Sequence, residues 1–129
     1  MPVIPHLRIL IVEDEFLIAL DLEDLLTGFG HQVCGIATTA DEAERMARDL
    51  KPDLVLTDIS LARGSSGIDA ARSIRARYDI PSIFLSAHAD ASMSADIAGW
   101  AMGCLQKPCQ PAKLRSTIDR AARDMVRAA

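Results

Sequence analysis

Five short apolar runs, separated by longer stretches with helical spacing, limit what this chain can fold into more than any other feature. The clearest are Arg8-Ile9-Leu10-Ile11-Val12, Leu54-Val55-Leu56-Thr57 and Ile83-Phe84-Leu85-Ser86. They are apolar at successive positions, not at alternate ones. A strand that reads this way is covered on both faces, as in a parallel sheet flanked by helices. Two weaker runs, Gln32 to Ile36 and Cys104 to Lys107, complete the set.

The segments between them have helix signals. The first carries Phe16, Leu17, Leu20, Leu25 and Leu26 mostly on one stripe, with Asp21 and Glu23 facing water, and ends at Gly28 and Gly30. The second opens on Thr39-Ala40-Asp41-Glu42, a capping box, and ends near Pro52. A third spans about Ile68 to Tyr78. The fourth, Asp90 to Met102, is rich in small residues, offers little apolar area and should open more easily than the others. Pro111 starts the last, whose stripe is Leu114, Ile118, Ala122 and Met125. Five strand-helix units predict one doubly wound parallel sheet in a three-layer α/β/α domain.

Charged residues end three of the runs. Val12 leads to Glu13-Asp14, Thr57 to Asp58, and Gln106 to Lys107-Pro108. Open parallel sheets bind ligands beyond the carboxyl ends of their strands, so neighbouring strands would gather these charges in one crevice. Close carboxylates repel unless a positive charge lies between them. Mg²⁺ (or Mn²⁺) suits an all-oxygen site, and the added ammonium suggests a phosphoryl group. Taken singly, Asp14 would cap the next helix, Ser86 would be a turn hydroxyl and Lys107 solvated surface. Capping does not account for Asp58 and Lys107 together.

Composition narrows the partners. The 129 residues make one domain, and 18 acids against 14 bases argue against nucleic acid. Cys34, Cys104 and Cys109 show no CxxC spacing and read as reduced thiols of a cytoplasmic protein, with Cys104 and Cys109 as packing residues. Met1 to Leu7 does not resemble a signal peptide, and no run is long enough for a membrane span. His6, His31 and His88 lack ligand spacing. Gly64 and Gly67 read as turn formers, since no GK[ST] follows. Arg115, Arg120, Arg123 and Arg127 read as a solvated face that complements the last helix dipole.

In this order and spacing, Glu13-Asp14, Asp58, Ser86 and Lys107-Pro108 resemble the receiver domain of two-component response regulators, over about residues 7–127, with 1–6 as an extended tail. The resemblance implies a flavodoxin-like sheet of order 2-1-3-4-5. It implies Asp58 as phosphoacceptor, with Ser86 and Lys107 as its catalytic partners. Mg²⁺ or Mn²⁺ would be held by Asp14 and Asp58 directly, by Glu13 through water, and by the backbone carbonyl of Ser60. The donor would be a sensor histidine kinase or histidine phosphotransfer protein. The output would be a protein whose identity the sequence does not reveal, with no nucleic acid and no membrane partner. Phosphotransfer and autodephosphorylation would be self-catalysed in a signalling module that is not an enzyme. No output domain follows Met125, which reads as a stand-alone receiver; pairing of two copies through the last two strand-helix units is one option.

Several residues depart from the family pattern. Cys104 stands where the family usually has Tyr or Phe, and Trp100 where glycine is usual. Trp100 is expected either to cover the space beside Cys104 or to anchor a partner. Ser60 and His88 lie two residues past Asp58 and Ser86, where the family's hydrolytic water passes, so His88 is expected to alter the rate of dephosphorylation. The loop Asp-Ile-x-Leu-x-x-Gly-x-x-Gly-Ile-Asp resembles a subset of alphaproteobacterial receivers. Two other functions compete. A Mg²⁺-dependent small-molecule phosphohydrolase would carry a second acid where Ser60 stands. A degenerate receiver that binds partners without phosphorylation is favoured by Cys104 and opposed by the intact acids.

Overall fold

The computed structural model describes residues 5–61, 66–87 and 100–128. The strands are β1 (Arg8–Val12), β2 (Gln32–Ala37), β3 (Leu54–Asp58), β4 (Ser82–Ser86) and β5 (Gly103–Gln106). The described helices are α1 (Phe16–Gly28), α2 (Ala40–Leu50), α3 (Gly67–Tyr78) and α4 (Pro111–Ala128). The strands form one parallel sheet in the order β2-β1-β3-β4-β5. The fold is the expected flavodoxin-like doubly wound one.

Side-chain alternation along each strand divides the core into two halves. Ile9, Ile11, Leu54, Leu56, Ile83, Leu85 and Leu105 face α1 and α4, meeting Leu22, Leu26, Leu114 and Ile118. Leu10, Val12 and Val55 face the opposite way, toward Ala43, Ala47, Ala70 and Ile74 of α2 and α3. Every one of these residues is at most 8% exposed. Each large side chain so buried contributes about 1.5–3 kcal/mol. This two-sided burial is why the runs lack alternation in sequence.

Helix ends follow local chemistry. The Thr39 hydroxyl accepts the Glu42 N–H at 3.2 Å, as a capping box requires. The Glu42 carboxylate returns to the N–H of Thr38 (2.8 Å), one residue earlier than the motif implies. Lys51 adopts a left-handed conformation (φ 49°) after α2, and the Arg8 guanidinium donates to the carbonyls of Leu50 (2.7 Å) and Lys51 (3.1 Å). Gly30 turns with φ 96° after α1.

Some expectations change. Phe16 and Leu17 are 70% and 78% exposed, because the buried stripe of α1 is Ala19, Leu22 and Leu26. At 100° per residue Phe16 and Leu17 lie off that stripe. Cys104 is exposed on the edge strand β5 and is not a packing residue, whereas Cys109 packs against the α1/α4 core. Gly67 is the first residue of α3. Gly64, His88 and most of the Asp90 to Met102 segment lie outside the described residues.

Candidate functional site

Strand parity carries Glu13, Asp58 and Lys107 to one place. Each lies two residues beyond a core side chain that faces α1 and α4: Ile11, Leu56 and Leu105. Each run therefore delivers its charge to the same face of the sheet at the same end. The main chain here is tied across strands. Glu13 N–H donates to Ala37 O (2.9 Å), Ile59 N–H to Leu85 O (3.0 Å) and Lys107 N–H to Ser86 O (2.7 Å).

The Lys107 ammonium joins two of the acids. Its Nζ donates to Glu13 Oε1 at 2.8 Å and to Asp58 Oδ2 at 2.9 Å. The Glu13 side chain is fully buried, and those of Asp58 and Lys107 are 10% and 15% exposed. Asp58 Oδ1 accepts the Ser60 N–H (3.2 Å), and Glu13 Oε2 accepts the Glu15 N–H (3.2 Å). Burial pushes the Glu13 carboxyl above the ordinary range, outweighing the Lys107 and Glu15 hydrogen bonds. Burial alone would lower Lys107, but its bonds to Glu13 and Asp58 raise it, so it stays charged at neutral pH.

Asp14 lies at the open rim. It is exposed, while Glu15 occupies the N-cap position of α1 with no side-chain capping bond. Asp14 is thus not spent on the helix. One carboxylate oxygen each from Glu13, Asp14 and Asp58 lies within 4.8 Å of the others. Three acids against one ammonium leave an excess of negative charge, and the donors are all oxygen. That set fits a hard divalent cation which keeps waters on its solvent side.

The structure brings Ser86 to this edge as well. It is buried at the end of β4, and its carbonyl holds Lys107 N–H. Ser60 is exposed and bridges to Ser66 across the loop after Asp58. The Lys107–Pro108 bond is cis. Trp100 is half-buried, its ring edge-on to Phe84 with centroids 5.8 Å apart. Phe84 is also the cross-strand partner of Cys104. The direct bond between Glu13 and Lys107 was not foreseen. Counting by two from Ile11 and Leu105 puts the two residues on one face of the sheet, which is the signal that could have pointed to it.

A family model described as the response regulator receiver domain matches residues 9–119. The phyllosphere-induced regulator PhyR of Methylorubrum extorquens is 43% identical over 115 residues, covering 88% of this chain and 43% of that protein. The crystal structure of the anti-anti-sigma factor PhyR from Bartonella quintana superposes with TM-score 0.83 at 36% identity, covering 96% of this chain and 50% of the other. The solution structure of the PhyR receiver (REC) domain from Erythrobacter litoralis gives TM-score 0.81 at 40% identity, covering 90% and 89%. The chain thus spans about half the length of the first two.

Proposed function

Because this chain belongs to the response regulator receiver domain family, we propose that it accepts a phosphoryl group on Asp58 from a phosphohistidine donor in a Mg²⁺-dependent reaction. The observation that carries this reading is the Lys107 ammonium shared by Glu13 and Asp58, with Asp14 within 4.8 Å. A carboxylate oxygen of Asp58 attacks phosphorus as the bond from phosphorus to the donor imidazole breaks, and that electron pair stays on the donor nitrogen. Mg²⁺ held by Glu13, Asp14 and Asp58 would neutralise charge on the phosphoryl oxygens. Lys107 releases part of its contact with Asp58 to a phosphoryl oxygen. Ser86 offers its hydroxyl to another. Ser60 N–H keeps the nucleophile oriented.

The donor reads as a protein. An apolar cleft of about 610 Å³ opens beside Lys107, lined by Leu17, Ile18, Leu25, Pro108 and Cys109. Leu17 in this lining is exposed. Output through a protein partner in the cytoplasm completes the reading. Regulators that act on a sigma factor are the first class to test, by analogy with the PhyR relatives. Among the described residues no helix is long and apolar enough to cross a membrane.

Incubation with acetyl phosphate and Mg²⁺, followed by intact mass, tests the proposal. One phosphoryl group should add, and none in Asp58→Ala. Catalytic turnover of small phosphate esters would support a phosphohydrolase. No adduct on the wild type would support a phosphorylation-independent binding module.

A further inference from the structure

The α-carbon of Gly67 lies against the main chain of Asp58. A β-carbon at Gly67 would stand 1.7 Å from the Asp58 carbonyl oxygen, and 2.9 Å from both its carbonyl carbon and Thr57 Oγ1. Real β-carbons essentially never approach closer than 3.0 Å. Two of these three atoms are backbone and cannot swing aside. The limit is space, since Gly67 begins a helix and its φ is not in the left-handed region.

The same peptide is held from other sides. The Thr57 hydroxyl donates to the Asp58 carbonyl oxygen at 3.0 Å. Gly67 N–H donates to the Ile59 carbonyl at 2.9 Å, so the first turn of α3 is bonded to the residue after Asp58. Ser60 and Ser66 close the loop as an antiparallel bridge. Lys107, by contrast, is anchored on the far side, through its N–H to Ser86 of β4.

We propose that Gly67 is a positioning residue for Asp58: its bare α-carbon lets α3 close on the Asp58 peptide, which sets where the carboxylate meets Lys107. This rests on Asp58 as phosphoacceptor. A methyl group at Gly67 has to part α3 from the end of β3 by more than about 1 Å, given the 1.7 Å approach. The Lys107 N–H is held by Ser86 of β4, outside the contact between α3 and the Asp58 peptide. A misplacement of ~1 Å at a reacting group slows reaction about 100-fold.

The test compares phosphorylation by acetyl phosphate and Mg²⁺, read by intact mass over time, at a temperature where circular dichroism shows each protein folded. Gly67→Ala should react about 100-fold more slowly and bind beryllofluoride more weakly by ¹⁹F NMR. Gly28→Ala is the control, because nothing lies within 4 Å of a β-carbon there; it should keep the wild-type rate. Thr57→Val loses the hydroxyl grip without crowding. It should be several-fold slower, and it decides the matter if Gly67→Ala does not fold. Wild-type rates and beryllofluoride binding in Gly67→Ala, or in Thr57→Val when only that variant folds, overturn the positioning role alone. Absence of uptake by the wild type overturns the phosphoacceptor reading and this proposal with it.

Discussion

Replacing Lys107 with methionine keeps most of the stem volume and removes the ammonium shared by Glu13 and Asp58. Deleting one partner of a buried ion pair costs about 3–5 kcal/mol. Screening by solvent is limited here, with side-chain exposures of 0% for Glu13 and 10% for Asp58. The variant has one escape: Glu13 can take up a proton. From the ordinary value of 4.5, protonation at pH 7 costs about 3.4 kcal/mol. Burial already holds Glu13 above 4.5, so the escape is cheaper than that. The expected loss is therefore about 2–3 kcal/mol at pH 7.

The pH dependence follows from the same escape. Without Lys107, Glu13 titrates still higher in the folded state. Its contribution is then complete below pH 4.5 and is lost as pH rises through the folded value. The deficit relative to wild type should widen as pH rises above the ordinary value of 4.5, by at most ~1.4 kcal/mol per unit. Urea unfolding followed by circular dichroism, in chelator and at several pH values, measures it. Mg²⁺ at about 100 times its Kd should restore about 2.7 kcal/mol to the folded state. A deficit under about 0.5 kcal/mol, or one equal at both ends of the range, would refute a shared buried charge cluster.

Other perturbations separate fold from site. Arg8→Ala removes the guanidinium from the Leu50 and Lys51 carbonyls; thermal unfolding should show a loss of about 1.5 kcal/mol, with phosphorylation by acetyl phosphate unchanged. Burial lowers the His31 imidazole, whose Nδ1 accepts the Leu7 N–H at 3.0 Å. The neutral ring stabilises the fold above the unfolded value of 6.5, and that stability falls as pH drops from there toward the lower folded value. In His31→Gln the melting temperature should fall less between pH 7 and pH 5. Phe84→Ala empties a fully buried site beside Trp100. Denaturant titration should show a loss of about 3–5 kcal/mol, and the emission of Trp100 should shift with it.

Much of the fold was legible because burial on both faces of a sheet demands successive apolar residues, and β1, β3 and β4 satisfy that demand directly. The ends of α2 and α4 were legible because Thr39 and Pro111 act through bonds and dihedrals a few residues away. The charged positions at the site were legible too, since parallel strands place their carboxyl ends together. The faces of α1 were read less well. Phe16 and Leu17 are as apolar as Leu22 and Leu26, and composition does not reveal which of them a neighbouring helix covers. Cys104 was misread for a similar reason, because exposure of an edge strand depends on what lies beside it.

By itself the chain's order of residues determined that five strands would form and that Glu13, Asp14, Asp58 and Lys107 would stand at their ends, because these outcomes depend on burial and spacing along a single strand. Only the tertiary structure decided that Lys107 binds Glu13 and Asp58 together, that Asp14 is left at the rim, and that Gly67 meets the Asp58 carbonyl. Those are contacts between residues 9 to 94 positions apart. Their distances are set by how helices settle on the sheet, a matter of packing that no local pattern encodes.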